Sequence, residues 1–253
     1  MIKVYVILLS LIIALSLFFT FYELPKGKPL HCPCPSYPLG TYINGDNMIN
    51  MNAEAIINTL IFGVVVGIVE TFIAVIYGSV SGLMGGKIRI IMVRISDSIN
   101  TVPRILLLLS IALIYGIPTG TSLKANFFIT AIIVGLTGWA NYSRQVSEYL
   151  FTSSSSTLSR IVPKTPFSLL FFSNKEEIYN LSKKFIIPAM IDGISTYTAM
   201  GVIAGVGDPR FPTLTTLLTV ASRYLPYWWL YLPPALFRAI VIVLLYLISD
   251  NLK

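Results

Sequence analysis

The sequence predicts an all-α membrane protein with about six membrane-spanning helices. Three observations carry that reading. Of 253 residues, 55% are hydrophobic and 11% charged, with a mean hydropathy of +0.78, too little charge for a soluble surface of this size. The apolar residues gather in runs that approach the roughly 20 residues needed to cross a hydrocarbon core about 30 Å thick. Lysines and arginines cluster between those runs in an alternating pattern.

The expected spans are residues 4–22, 56–81, 102–117, 127–140, 185–206 and 229–248. The first follows Lys3. It is long for a secretory leader, and "TFYELP" offers no small-residue cleavage site, so it reads as a retained helix. Residues 1–22 then form an N-terminal membrane helix, 23–55 an extracytoplasmic segment rich in proline, glycine and asparagine, and 56–253 a core with five further spans. Lys87, Arg89 and Arg94, and the basic residues of 141–184, put those segments inside and both termini in the cytoplasm. Trp228, Trp229, Tyr227 and Tyr231 form an interfacial aromatic belt at the outer edge of the last span. Gly63 and Gly67 allow close helix packing. The tract 153–156 is low-complexity loop.

The formal net charge of +7 fits cytoplasmic loops of a membrane protein better than nucleic acid binding. Cys32 and Cys34, one residue apart, would make a strained disulfide. With His31 they bring a zinc set to three ligands where four are usual, so no metal site is expected and the cysteines read as exposed loop residues.

The loop 141–184 carries the functional signal. In "SNKEEIYNLSKKFIIP", Ser173 and Glu176 have capping-box spacing. Ile178, Leu181 and Phe185 recur at helical spacing, and Lys183 and Lys184 lie where cations suit the helix dipole. The expectation is a short amphipathic helix, including Glu176 and Glu177, on the cytoplasmic face and joined at Pro188 to the fifth span. It either anchors the loop in lipid or docks a cytoplasmic partner. Glu70, near the middle of a span, is either a cavity group facing a cationic substrate or a packed group. Arg104 and Arg238 are candidate partners for it. Asp192 is either a gate residue or an interfacial cap. Arg94 and Asp97 have the spacing of a helical ion pair.

Several stretches in order resemble the C-type permease subunit of dipeptide, oligopeptide and nickel ABC importers. "YPLGT" (37–41) is similar to that family's "HPLGTD". "SGLMGGKIRIIMVRISDSINTVP" (81–103) is similar to "GYFGGWVDxxxMRxxDxxxxxP", with Gly85, Gly86, Met92, Arg94, Asp97 and Pro103 in place. "GLTGWANYSR" (135–144) is similar to "GLTGWxxYAR", and "FIIPAMID", "GVGDPRFPTLTTLL" and "YWWLYLPPALF" follow in order. The resemblance covers about residues 37 to 253. It departs at the family's "EAA" segment, replaced by "TLSRIVPKTPFSLLFFSNKEE" with Pro163 and Pro166. Tyr37 and Tyr42 also stand where the family has histidine and aspartate.

The resemblance implies the type I importer permease fold with a cytoplasmic coupling helix. It implies a second homologous permease, two ATPase subunits that use ATP and magnesium, and an extracytoplasmic binding protein. The coupling residues would be Glu176, Glu177, Ile178, Leu181, Lys183, Lys184, Phe185 and Pro188. Arg94, Asp97, Arg144 and Asp192 would support the inner gate, Glu70 the substrate path, and Gly207, Asp208, Pro209 and Arg210 binding-protein docking. The chain itself would hold no cofactor: "SGLMGGKI" lacks the first glycine of a phosphate loop and has Ile88 where magnesium needs a hydroxyl. An ion-coupled transporter or channel is the competing reading, but the chain has no internal repeat of the kind such proteins commonly carry. A membrane enzyme would need a motif such as HExxH or GxSxG, and neither is present.

Overall fold

The computed structural model describes residues 2–114, 126–153, 167–208 and 210–251. They form helices α1 (Ile2–Phe21), α2 (Met48–Met84), α3 (Gly86–Thr101), α4 (Arg104–Ile114), α5 (Asn126–Thr152), α6 (Phe167–Ser173), α7 (Lys175–Ala204), α8 (Leu214–Ala221) and α9 (Trp228–Asp250). Among the described residues the only β pairings are isolated bridges, Cys34 with Tyr37 and Thr41 with Asn47.

Four helices, α1, α2, α7 and α9, are long and apolar enough to cross a membrane, and α3 with α4 makes a fifth if that pair is one broken span bent by 68°. The break follows from Pro103. Its ring drives the preceding residue out of the helical region, and Val102 is extended at φ −75°, ψ 124°. The third expected span therefore starts as a helix only at Arg104, and residues 115–117 lie outside the described set. The fourth, 127–140, is the first half of α5. That helix continues through Asn141, Arg144 and Glu148 and is not apolar enough to count by itself.

The long helix α2 is the centre of the bundle, packed against α1, α5 and α7. Glycines let both main neighbours approach. A Cβ at Gly67 would lie 2.9 Å from the Ile186 carbonyl of α7, and one at Gly78 would lie 2.6 Å from the Ser143 carbonyl of α5. Gly63 and Gly67 thus form the close contact expected of them, and Gly78 and Gly82 form a second toward α5. Buried serines hold α5 on two sides: Ser81 of α2 bonds Ser147 at 2.8 Å, and Ser96 of α3 bonds Ser143 at 3.1 Å.

The segment between α1 and α2 is a compact cap. Its backbone folds on itself through Gly27 N–H to the Gly45 carbonyl and Leu30 N–H to the Tyr42 carbonyl, and Lys26 pairs with Asp46 at 2.8 Å. Asn47 caps α2 by accepting from the Ile49 amide at 3.0 Å. The Trp229 indole, buried rather than at a surface belt, donates to the Thr41 carbonyl and pins the cap to α9. Burial pushes the Tyr42 phenol up to about 12, and it stays neutral at ordinary pH. Asn50 of α2 donates to the carbonyls of Phe19 and Tyr22 at the end of α1.

Candidate functional site

The break after α3 places Arg104 at the head of α4, in the interior of the bundle. Its guanidinium meets three helices. One terminal nitrogen donates to Glu70 of α2 and, at 2.6 Å, to the Val134 carbonyl of α5; the other donates to Asp192 of α7; Nε donates to Thr137 Oγ1 at 3.1 Å. Glu70 is fully buried and its second oxygen has no hydrogen-bond partner, whereas the Asp192 side chain is 41% exposed. A planar fork of donors suits such convergence of carboxylates. Gly138 leaves the room: a Cβ there would land on the Glu70 carboxylate and Arg104. Beside the cluster opens a cleft of about 440 Å³, lined by Asn100, Arg104, Thr137, Trp139, Tyr142 and Asp192.

Arg104 holds one oxygen of the Glu70 carboxylate, and Asp192 and Arg104, rather than Glu70, line the cleft. Asp192 faces this cluster rather than capping a helix end. Arg238 does not join it. Sequence reasoning missed Thr137 and Gly138, although both lie in "GLTGWANYSR", where a small residue beside a hydroxyl signals a close approach.

The coupling segment differs from its expectation in form. Lys175 to Ala204 is one helix with Pro188 inside it, so there is no separate short helix; the segment is the charged first part of a helix whose apolar remainder is a candidate span. The capping box at Ser173 and Glu176 does not form. The Ser173 hydroxyl donates to the Leu170 carbonyl, and the start of α7 is Asn174, whose side chain also donates to Leu170. A capping box is present instead at Thr213 and Thr216, opening α8.

Ile178, Leu181 and Phe185 are buried against Val75, Leu83, Val146, Leu150 and Leu170. The apolar stripe is this chain's own core. The outward face holds Glu176, Tyr179, Lys183 and Lys184, with Lys183 Nζ 4.0 Å from the Tyr179 ring. The short α6 adds to it: Leu170 points inward, while Phe172 is 69% exposed. Sequence reading passed over α6 because the segment lacks the family's "EAA" pattern.

Arg94 and Asp97 do not pair. Asp97 is taken by Arg144 at 2.9 Å, and Arg144 also binds Glu148 at 3.2 Å. Arg144 can reach both α3 and its own next turn, whereas Arg94 is exposed and takes no part in these ion pairs. On the other face, Asp208 is buried and accepts from the Arg210 amide at 2.9 Å. Its carboxylate holds the turn rather than facing outward. Gly207 and Arg210 line a cleft of about 590 Å³ with Tyr42, Asp46, Glu54 and Arg223, and Pro209 lies outside the described residues. Cys32 and Cys34 are free, and the described residues contain no group of three metal-ligating side chains.

No family model matches the sequence. Curated proteins do. The chain is 27% identical to the dipeptide transport system permease protein DppC of Lactococcus lactis across 61% of its length. It is 25% identical to the protein of that name in Bacillus subtilis across 77%, and 24% identical to the oligopeptide permease protein OppC of Mycobacterium tuberculosis across 96%. This chain is a homologue of peptide-transport permease subunits. The matches span 45% and 60% of the two dipeptide relatives and 87% of the oligopeptide one. With its apolar helices, the homologue is a multi-pass membrane protein. The clustering of Arg104, Glu70 and Asp192 at the α3–α4 break is therefore an interior feature of a permease homologue.

Proposed function

We propose that this chain is one permease subunit of an ATP-driven peptide importer and forms half of its path by alternating access. The observation that carries the reading is the continuity of α7. It runs without interruption from the outward face at Glu176, Tyr179 and Lys183 to Asp192 at the Arg104 cleft. Force applied to the loop has a rigid route into the bundle. The partners are a second homologous permease, two cytoplasmic ATPases that bind ATP and magnesium, and an extracytoplasmic binding protein meeting the Gly207–Arg210 turn. Both termini then lie in the cytoplasm of a cell-membrane protein. The chain carries no cofactor and catalyses no reaction of its own. Glu70, engaged by Arg104, is not arranged as the lone proton carrier that an ion-coupled transporter needs.

The test uses the chain assembled with its ATPases and second permease in lipid. Hydrolysis is measured with and without peptide-loaded binding protein. Stimulation should be lost in Phe172→Asp with Tyr179→Ala, because both residues are exposed in this chain and their change leaves its core intact. Leu181 and Phe185 are unsuitable, since changing them breaks that core. ATPase activity indifferent to the presence of this chain would overturn the proposal.

A further inference from the structure

The described residues include all eleven of the chain's carboxylate side chains, and none of them pairs with Arg238. Arg238 lies on α9, ten residues from Trp228 and twelve from Asp250, so about 15 Å and 18 Å from the helix ends at 1.5 Å per residue. Its side chain is half-buried and its Nε has no hydrogen-bond partner. A cation at this depth requires a counter-charge or water.

Lipid phosphate is too far away: an arginine side chain does not reach across either half of the span, and snorkelling serves only residues near helix ends. A water-lined path is not built around it either. Its neighbours along α9 are Pro234, Ala235, Val241 and Ile242, all apolar, and it lines neither of the polar clefts at Arg104 and Arg210. A second copy of this chain is also a poor source, because Glu70 and Asp192, the carboxylates inside its spans, are both held by Arg104.

We infer that Arg238 docks an aspartate or glutamate carried in a membrane helix of a different subunit, and that α9 is part of the interface between the two permeases. This rests on the reading of the chain as one of two permease subunits. Partly exposed Ala235 and Ile242, one turn to either side of Arg238 on its own face of α9, give the apolar surround in which such an ion pair is selective for one partner and register.

The experiment is recovery of the second permease with a tagged form of this chain from membranes in mild detergent. Arg238→Lys should retain it, and Arg238→Glu should lower recovery by about tenfold or more, since it sets two buried like charges together. Each intramembrane acid of the second permease is then changed to arginine in the Arg238→Glu background. One such exchange should restore recovery, which a misfolded variant would not permit. Full recovery with Arg238→Glu, or loss that no exchange repairs, overturns the inference. Full recovery with peptide uptake lost assigns the counter-charge to cargo and equally overturns it. If the unaltered chain recovers no second permease, the importer reading itself fails, an outcome distinct from the others.

Discussion

Arg104 and Arg238 are the same residue type in two spans, and the protein treats them oppositely. Arg104 is met by Glu70, Asp192, Thr137 and the Val134 carbonyl, and Gly138 is bare to make space for it. Arg238 meets no carboxylate of its own chain. A buried ion pair is a poor source of net stability, but losing one partner is severe, because the other is left charged and dry. The contrast separates a charge that organises this fold from a charge the fold leaves for something else.

The comparison is sharpest under mutation. Arg104→Leu should produce the largest effect, about 3–5 kcal/mol of destabilisation from the stranded Glu70, read as a fall in thermal midpoint in lipid nanodiscs. Gly138→Ala should follow, at about 1–3 kcal/mol, since its new methyl overpacks the same pair. Adding Glu70→Leu to Arg104→Leu should recover part of the loss, because residues in one network are not additive; a strictly additive result would break the assignment of the cluster as a unit. Asp192→Asn should cost less than Arg104→Leu, given its exposure, while slowing coupled uptake. In the isolated chain Arg238→Leu should leave the midpoint unchanged or raised, and a fall as large as that of Arg104→Leu would erase the distinction. Smallest of all, Arg144→Ala at the exposed Asp97–Glu148 pair should give no measurable shift.

The long apolar helices were legible because span length and hydropathy are properties of contiguous residues. The break at Pro103 was also local, yet its consequence was not: it puts Arg104 within reach of Glu70 and Asp192, which lie 34 and 88 positions away. Nothing in the composition of "RILLLLSIALI" encodes that meeting. Ser173 and Glu176 matched a capping pattern, but the Leu170 carbonyl competed for the serine. The stripe at Ile178, Leu181 and Phe185 was correctly apolar and helical. Periodicity marks which face is greasy, not whether a partner chain or the same chain covers it. Here the ends of α2 and α5 cover it, and the outward role passes to Phe172 and Tyr179.

Asn50 has a consequence for the first helix. Ser16 is the only residue of α1 that is buried, yet the C-terminal end of the helix is fastened to α2 by one side-chain amide that reaches two carbonyls. The helix thus lies along the edge of the bundle in the manner of an outrigger, fastened at this tip and resting on the core only through partly buried side chains such as Leu9, Ile12 and Ile13. Removing it would strip little packing from the bundle, but it would lay open the greasy hollow of Ile56 and Phe237 beneath it and leave that amide without its two carbonyls.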